Sequence, residues 1–312
     1  MTQITPDPTG SAYALSFIGE AAAEPGASGF PAIYAFGDSL SDAGNDFNLT
    51  LGNVPVSPPY FDGHFSNGYT WVEDLALLGQ PLVKPSTQGG TDFAYGAAET
   101  GTTAVHSALP IDLPSQLVQY KIQDPNPTPN ALYTLSIGSN DVLDAVDTFA
   151  TNPTAGLAAI PQAVTNETNF IAGLAATGAK NFAVLMVPDI GKTPSETAQG
   201  PLYAVSASNL SAWYDVDLAQ SLASLAVTDH LNIDLINTFQ LIDAAAANPA
   251  AFGLTNTTDP VWTGNYTDAS SGTLTATGAA QNQHLFFDSL HPTAQGHAFL
   301  ALVAGQSLLA TV

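Results

Sequence analysis

The sequence predicts an α/β fold built on a doubly wound parallel sheet with helices on both faces. Two observations carry this: four short, near-continuous apolar runs of strand length, each closed by a turn signal, and segments of helical spacing that alternate with them along the chain. Strands covered on both faces read as unbroken apolar runs, whereas half-exposed antiparallel strands alternate. Strand–helix alternation argues for right-handed βαβ crossovers. Such sheets bind ligands outside the carboxyl ends of their strands, so chemistry is to be sought just after each run.

Taken in order, residues 1–29 are rich in Pro, Gly and Ala and lack periodicity, as an N-terminal arm would, and one domain is expected over 30–312. The strands are Pro31–Phe36, Leu132–Ile137, Phe182–Val187 and Leu231–Ile236. Helical spacing marks Trp71–Leu78 and Ser115–Ile122 between the first two, then Asp141–Phe149, Ala158–Ala176, Leu202–Leu225, Phe239–Ala247 and Thr293–Leu309. Residues 253–284 resist the scheme: rich in Thr, Asn, Gly and Ser, with Trp262 and Tyr266 as their large aromatics, they are expected to form a surface hairpin or a lid. No internal repeat is evident.

Charge narrows the function. Against 27 acidic residues stand 4 basic ones, Lys84, Lys121, Lys180 and Lys192, with no arginine, for a net charge of -23. Nucleic acid is excluded as a partner, because no cationic patch can displace counterions from a phosphate backbone. An apolar content of 45% supports a large core. No apolar run approaches a membrane span, the Phe299–Ala304 stretch being too short, so stable membrane insertion is not expected. The absence of cysteine removes disulfides and thiol catalysis. No basic-then-apolar secretory signal is read at Met1–Pro6, yet a composition rich in Thr, Asn, Ala and Asp and poor in Lys points to a secreted or cell-surface bacterial protein. The sequons at Asn48, Asn166, Asn209, Asn256 and Asn265 reflect that composition. Nothing in the patterning specifies an oligomeric state. Carboxylate self-repulsion predicts that stability rises as pH falls from 7 toward about 4 to 5.

The strand ends carry the chemistry. The first run closes in Phe36-Gly37-Asp38-Ser39-Leu40-Ser41-Asp42, which sets a serine at a strand's carboxyl end. Taken alone, Ser39 reads more readily as a turn serine capping the next helix. Gly138-Ser139-Asn140-Asp141 puts an amide at a second strand end, where Asn140 also fits an N-cap. Asp92-Phe93-Ala94-Tyr95-Gly96-Ala97-Ala98 offers backbone N–H groups in a small-residue loop, and Asp288-Ser289-Leu290-His291-Pro292 sets a carboxylate three residues before a histidine. Pro292 disfavours helix at His291. Serine becomes a nucleophile when an imidazole takes its proton, the imidazole needs a carboxylate to fix its tautomer, and acyl transfer needs donors where the carbonyl oxygen becomes an anion. Ser39, His291, Asp288, Gly96 and Asn140 fill those roles.

On these blocks, in this order, the chain resembles a GDSL-type hydrolase of the SGNH superfamily. The stretches Ser57-Pro58-Pro59-Tyr60-Phe61-Asp62-Gly63-His64-Phe65-Ser66-Asn67-Gly68 and Val187-Pro188-Asp189-Ile190-Gly191-Lys192-Thr193-Pro194 are similar to its bacterial lipase/esterase and lecithinase-like branch. The resemblance spans about residues 31–308. It implies a three-layer, flavodoxin-like α/β/α sandwich and ester hydrolysis with neither metal nor other cofactor. Carried over by position, it makes Ser39 the nucleophile, His291 the base and then the acid, Asp288 the orienting carboxylate, and the Ser39 and Gly96 N–H groups with the Asn140 amide the oxyanion hole. Two positions depart from the branch: His64 stands where arginine is common, and Ala97 where a second glycine is common. The substrate is then expected to be a small-molecule or lipid ester: neutral short-to-medium acyl or aryl esters first, a phospholipase or acyltransferase acting on zwitterionic lipid second, with a non-catalytic passenger or binding module as the reading from another class.

The remaining residues weigh as follows. Asp38 and Asp42 suit turn and hydrogen-bonding roles. His64, His106, His230 and His297 have no carboxylate at a telling spacing and read as structural or exposed. A metal site on His284, Asp288 and His291 matches no compact zinc spacing and leaves Ser39 and Asn140 unexplained. Within the aromatic cluster Tyr60, Phe61, Phe65, Tyr69 and Trp71, core packing and pocket lining are evenly matched; Tyr60, Phe65 and Phe287 are the candidates for substrate contact.

Overall fold

The structure, a computed structural model, describes residues 29–102 and 109–310; all but the last residue of the expected 1–29 arm, and His106, lie outside the described residues. Four parallel strands, β1 (Ile33–Gly37), β2 (Leu132–Ser136), β3 (Asn181–Leu185) and β4 (Asn232–Ile236), lie in the order β1-β2-β3-β4. Their register runs evenly, Ile33 beside Leu132, Leu132 beside Asn181 and Asn181 beside Asn232. The near-continuous apolar runs are explained by burial on both faces, since every residue of β1 and β2 is buried.

The helices in chain order are α1 (Asn45–Leu49), α2 (Trp71–Asp74), α3 (Leu113–Gln123), α4 (Ser139–Thr151), α5 (Pro153–Ala175), α6 (Pro194–Ala198), α7 (Pro201–Asp229), α8 (Thr238–Ala247) and α9 (Ala294–Ala310). Strand alternation assigns them to two layers. Tyr34, Phe36, Tyr133, Leu135, Phe182 and Val184 face one core, filled by Tyr120 of α3, Val142 of α4, Phe170 of α5 and Tyr214 of α7. Ile33, Ala35, Leu132, Ala183 and Leu185 face the other, filled by Trp71 of α2, Leu241 of α8 and Leu300 and Ala304 of α9. The result is the three-layer α/β/α sandwich with a parallel sheet.

The double winding arises in a place that apolar patterning does not mark. Residues Thr91–Tyr95 run along the free edge of β1, with Ala35 N–H on Thr91 O (2.9 Å), Phe93 N–H on Ala35 O (2.7 Å) and Tyr95 N–H on Gly37 O (3.2 Å). From β1 the chain goes to one side, then crosses back to β2 on the other. The topological switch point therefore lies at the carboxyl end of β1, immediately before Ser39.

Gly37 closes β1 in a conformation (φ 135) that L side chains rarely adopt, and a Cβ there would stand 2.0 Å from Ser136 O. Beyond the ladder, the buried Gln116 side chain accepts from Gly37 N–H (2.9 Å) and donates to Gly37 O (2.8 Å). Gly37→Ala is expected to cost on the order of 3 kcal/mol, combining left-handed strain with backbone overlap. Urea unfolding of the two proteins measures it; an unchanged midpoint would contradict the role given to Gly37.

Residues 253–284 form irregular chain with a short 3-10 turn at Gly278–Gln283 and one antiparallel bridge between Trp262 and Leu274. Val261 and Trp262 N–H groups bond Phe286 O (3.2 Å) and Phe287 O (2.6 Å), and both side chains pack with Tyr60 and Phe287. The segment is thus tied to the strand-like stretch that leads into Asp288.

Candidate active site

Past Gly37 the chain turns sharply. Asp38 N–H still bonds Ser136 O (2.9 Å), Asp38 Oδ1 accepts from Leu40 N–H (3.0 Å), and Ser39 is presented beyond the sheet. Opposite it, the spacing Asp-x-x-His closes a tight turn in which Asp288 Oδ1 accepts from Leu290 N–H (2.8 Å) and His291 N–H (2.7 Å). Phe287 N–H bonds His291 O (2.8 Å), and the turn brings His291 Nδ1 to 2.7 Å from Asp288 Oδ2. A carboxylate can only accept, so Nδ1 carries the proton and Nε2 is left to accept from Ser39 Oγ at 2.8 Å. All three side chains are buried.

The electrostatics are coupled. Burial alone would raise the Asp288 carboxyl, but the charge of His291 and hydrogen bonds from His291 and Tyr60 outweigh it and hold the group below its ordinary value. For His291 burial disfavours the charged ring, yet the Asp288 charge and hydrogen bond, with Asp38 further off, raise it above the ordinary histidine value. Asp38 is pushed up to about 7, chiefly by burial, and its Oδ2 has no hydrogen-bond partner among the described residues.

Two of the expected oxyanion donors already have partners. Gly96 N–H is directed at Asp42 Oδ2 (3.2 Å), so the donor expected there is engaged. Asp42 is a buried anchor whose carboxylate also accepts from the N–H groups of Gly44 (2.8 Å), Asn45 (2.5 Å) and Asp46 (3.2 Å). The next residue, Ala97, takes the left-handed conformation at φ 61. Its N–H, like that of Ser39, has no partner among the described hydrogen bonds. Asn140 lies inside the first turn of α4, whose N-cap is Gly138, so the alternative of an Asn140 cap does not hold. One Asn140 amide hydrogen is spent on Ala98 O (2.8 Å), which ties the 95–98 turn to α4 and leaves the second free to donate.

An apolar cavity opens from this group between the carboxyl ends of β3 and β4 and helices α8 and α9. Ser39, Asn140 and His291 line it together with Leu185, Ile190, Leu241, Ala245, Phe286, Phe299 and Leu300. Its lining includes none of Tyr60, Phe65 and Phe287 and no residue of 253–284. Tyr60 and Phe287 are packed in a separate core with Trp262, and Phe65 lies on the His291 ring (centroids 5.2 Å apart), so the aromatic candidates stand behind the histidine and not in the cavity.

The other histidines have partners that spacing did not show. His64, nine residues before Glu73, bonds its Oε2 from Nε2 (2.9 Å) in the interior, and Glu73 also caps α2 through Thr70 N–H and Oγ (2.9 Å each). Burial opposes charge on His64, but Glu73 and the Phe61 carbonyl raise it overall. A histidine–carboxylate pair thus stands where arginine is common in the branch. His297 is buried and lowered to about 3 by burial and the charges of His291 and His64, with Nδ1 accepting from Trp71 N–H (3.2 Å). His284 turns Nδ1 to Asp259 O (3.0 Å), away from Asp288 and His291, and His230 ends α7.

The model of the GDSL-like lipase/acylhydrolase family matches residues 33–303. The chain is similar to a thermolabile hemolysin of Vibrio parahaemolyticus, 29% identical over 86% of this chain and 62% of that protein. It is similar to a phosphatidylcholine-sterol acyltransferase of Aeromonas hydrophila, 29% identical over 76% of this chain and 67% of that protein. A GDSL esterase/lipase of Arabidopsis thaliana is 27% identical over 89% of this chain and 90% of its own length. The alignment with the first of these spans less than two thirds of that relative's length.

Proposed function

The chain belongs to the GDSL-like lipase/acylhydrolase family, and so to the carboxylic ester hydrolases, and from that premise we propose that it hydrolyses neutral esters of short-to-medium acyl chains through an acyl-enzyme on Ser39. The observation that carries this reading is the unbroken relay from Asp288 Oδ2 through His291 to Ser39 Oγ, 2.7 and 2.8 Å, at the mouth of an apolar cavity.

Ser39 Oγ attacks the ester carbonyl as His291 Nε2 takes its proton, and Asp288 stabilises the imidazolium without accepting that proton. The developing oxyanion is held by the Ser39 N–H, the free Asn140 amide hydrogen and the N–H of Ala97, which replaces Gly96 in this role. Ala97 suits it because the left-handed turn presents an unpartnered N–H. His291 then protonates the departing alcohol, and a water activated by the same nitrogen releases the acid.

Two features support neutral, acyl-type substrates. The cavity lining is mostly aliphatic and aromatic, and the carboxyl groups on it are Asp38 and Asp189. The nearby cation, Lys192, faces Asp243 at 3.7 Å, which offsets its charge. Anionic phospholipids and acyl thioesters of nucleotides would meet like charge with no guanidinium to balance it. The name of the Aeromonas hydrophila relative, a phosphatidylcholine-sterol acyltransferase, favours a second reading, phospholipid acyl chemistry on zwitterionic lipid. The lysine-poor composition supports secretion or display at a cell surface; among the described residues no helix is long and apolar enough to cross a membrane.

The test is an acyl-length series of 4-nitrophenyl esters, from acetate to palmitate, beside phosphatidylcholine dispersions. Wild type is expected to favour short-to-medium chains over both palmitate and phosphatidylcholine. Ala245→Trp, which fills the cavity between α8 and α9, is expected to lower kcat/KM on the octanoate about tenfold or more while sparing the acetate, since a pocket shortened by a few methylenes loses about 0.8 kcal/mol for each. Equal losses at every length would show that the acyl chain does not enter this cavity.

A further inference from the structure

Loop 57–68 is fastened to the 288–292 turn at three points. Tyr60 Oη donates to Asp288 Oδ2 at 2.6 Å, the Phe65 ring lies on His291 with centroids 5.2 Å apart, and Ser66 Oγ donates to Pro292 O at 2.8 Å. The loop is itself held from inside. Phe61 N–H bonds Ser66 O (2.9 Å), Ser57 Oγ bonds Tyr60 O (2.8 Å), and His64 is paired with Glu73. Tyr60 is buried, with its ring edge-on to Phe287 at 5.0 Å, and has no access to the cavity.

We propose that Tyr60 is a positioning residue of ester hydrolysis, a phenol that shares Asp288 Oδ2 with His291 and sets how strongly that carboxylate pulls on the imidazole. The proposal rests on the reading of Ser39, His291 and Asp288 as the catalytic relay. Asp288 accepts four hydrogen bonds: two backbone N–H groups on Oδ1, and His291 Nδ1 and Tyr60 Oη on Oδ2. A carboxylate so supplied is oriented in two directions and is a weaker base, which keeps the shared proton on His291. The phenol remains the donor throughout, because burial and the Asp288 charge push its own ionisation far up. Tyr60 acts through Asp288 and touches no reacting atom.

Removing the hydroxyl leaves more charge on the Oδ2 that faces His291, and the imidazolium gains from it. The other titratable groups that bear on this pair are Asp38 at the end of β1, His297 of α9, and Tyr266, which acts on Asp288. All are retained in Tyr60→Phe, as are the ring contacts with Phe287 and Phe65.

The experiment follows kcat and kcat/KM on 4-nitrophenyl butyrate against pH. Tyr60→Phe is expected to lower kcat about tenfold or more with little change in KM. The acidic limb of kcat/KM should move to higher pH by about half a unit. In ¹H NMR the His291 Nδ1 proton should move downfield. Site-specific 3,5-difluorotyrosine at position 60, which keeps the ring and strengthens the donor, should move the limb the other way and answers the question even if Tyr60→Phe fails to fold. A fall in melting temperature with kcat and the limb unchanged would overturn the proposal, leaving Tyr60 as packing alone. Failure of the underlying reading looks different: wild type itself would be inert to a fluorophosphonate serine probe.

Discussion

Ser39→Ala is expected to lower kcat for a chromogenic butyrate ester by a factor on the order of a million while the protein keeps its fold. Both halves follow from position. Ser39 Oγ makes its hydrogen bond to His291 Nε2, so alanine removes the nucleophile and strands no other donor. The serine lies beyond the sheet, and its loss leaves the Gly37–Gln116 clasp and the Asp42 anchor intact. Residual turnover above water, about a thousandfold, would come from the oxyanion donors and the cavity. Single-turnover kinetics and circular dichroism of the two proteins check this. A variant with near wild-type turnover would remove Ser39 from the mechanism, and one that unfolds would show that the strand end depends on the hydroxyl.

The largest effect on stability should come from pH. Burial is the leading cause of the rise in each of these carboxyl groups: Asp42 and Asp141 to about 6, Asp38 to about 7, and Asp46, Glu167 and Asp215 to about 8. Each is more easily protonated folded than unfolded, where carboxyls titrate near 4. Their contribution is therefore fully present below about pH 4 and is lost as pH climbs through 6 to 8. His64 and His291, also raised, act in the same direction at higher pH. Two groups oppose. His297, lowered to about 3, favours the folded state above the ordinary histidine value and loses that contribution on acidification. Asp288, held low, contributes above the carboxylate range and gives way in strong acid. The sum predicts a melting temperature roughly 10 °C higher at pH 5 than at pH 8, with a decline again below about pH 4. Added salt at pH 8 should recover part of the loss by screening the surface charge. Calorimetry across this range decides it; a melting temperature that falls steadily on acidification from pH 8 to pH 5 would refute it. Catalysis demands the opposite, because His291 must be neutral to take the serine proton and its value is raised. Turnover should climb through the same interval in which stability declines.

Much of this was legible in the chain. Continuous apolar runs at Ile33–Gly37 and Leu132–Ser136 mark strands covered on both faces, because burial on both sides leaves no polar alternation to confuse the pattern. Asp288 and His291 were legible for a similar reason: three residues and a following proline are enough to close a turn that sets Nδ1 on Oδ2. The edge segment Thr91–Tyr95 was not, since it pairs with β1 through single bonds while its side chains follow no period. Nor was the partner of His64, because Glu73 meets it only after the 61–66 turn folds back onto the start of α2.

The sequence by itself determined the layered fold and the pairing of Asp288 with His291, for those depend on local periodicity and on chemistry that short spacing can hold. Only the tertiary structure decided which N–H groups of the 95–98 turn are already engaged and which side of the histidine the aromatic loop occupies. Gly96 and Ala97 are neighbours in the chain, and Asp42, brought against them from the turn after β1, engages one N–H and leaves the next free. Tyr60 reads equally as core or pocket until a residue 228 positions away offers its phenol a carboxylate. Direction and long-range partnership belong to the packed state, because only close packing gives each donor a single acceptor within reach.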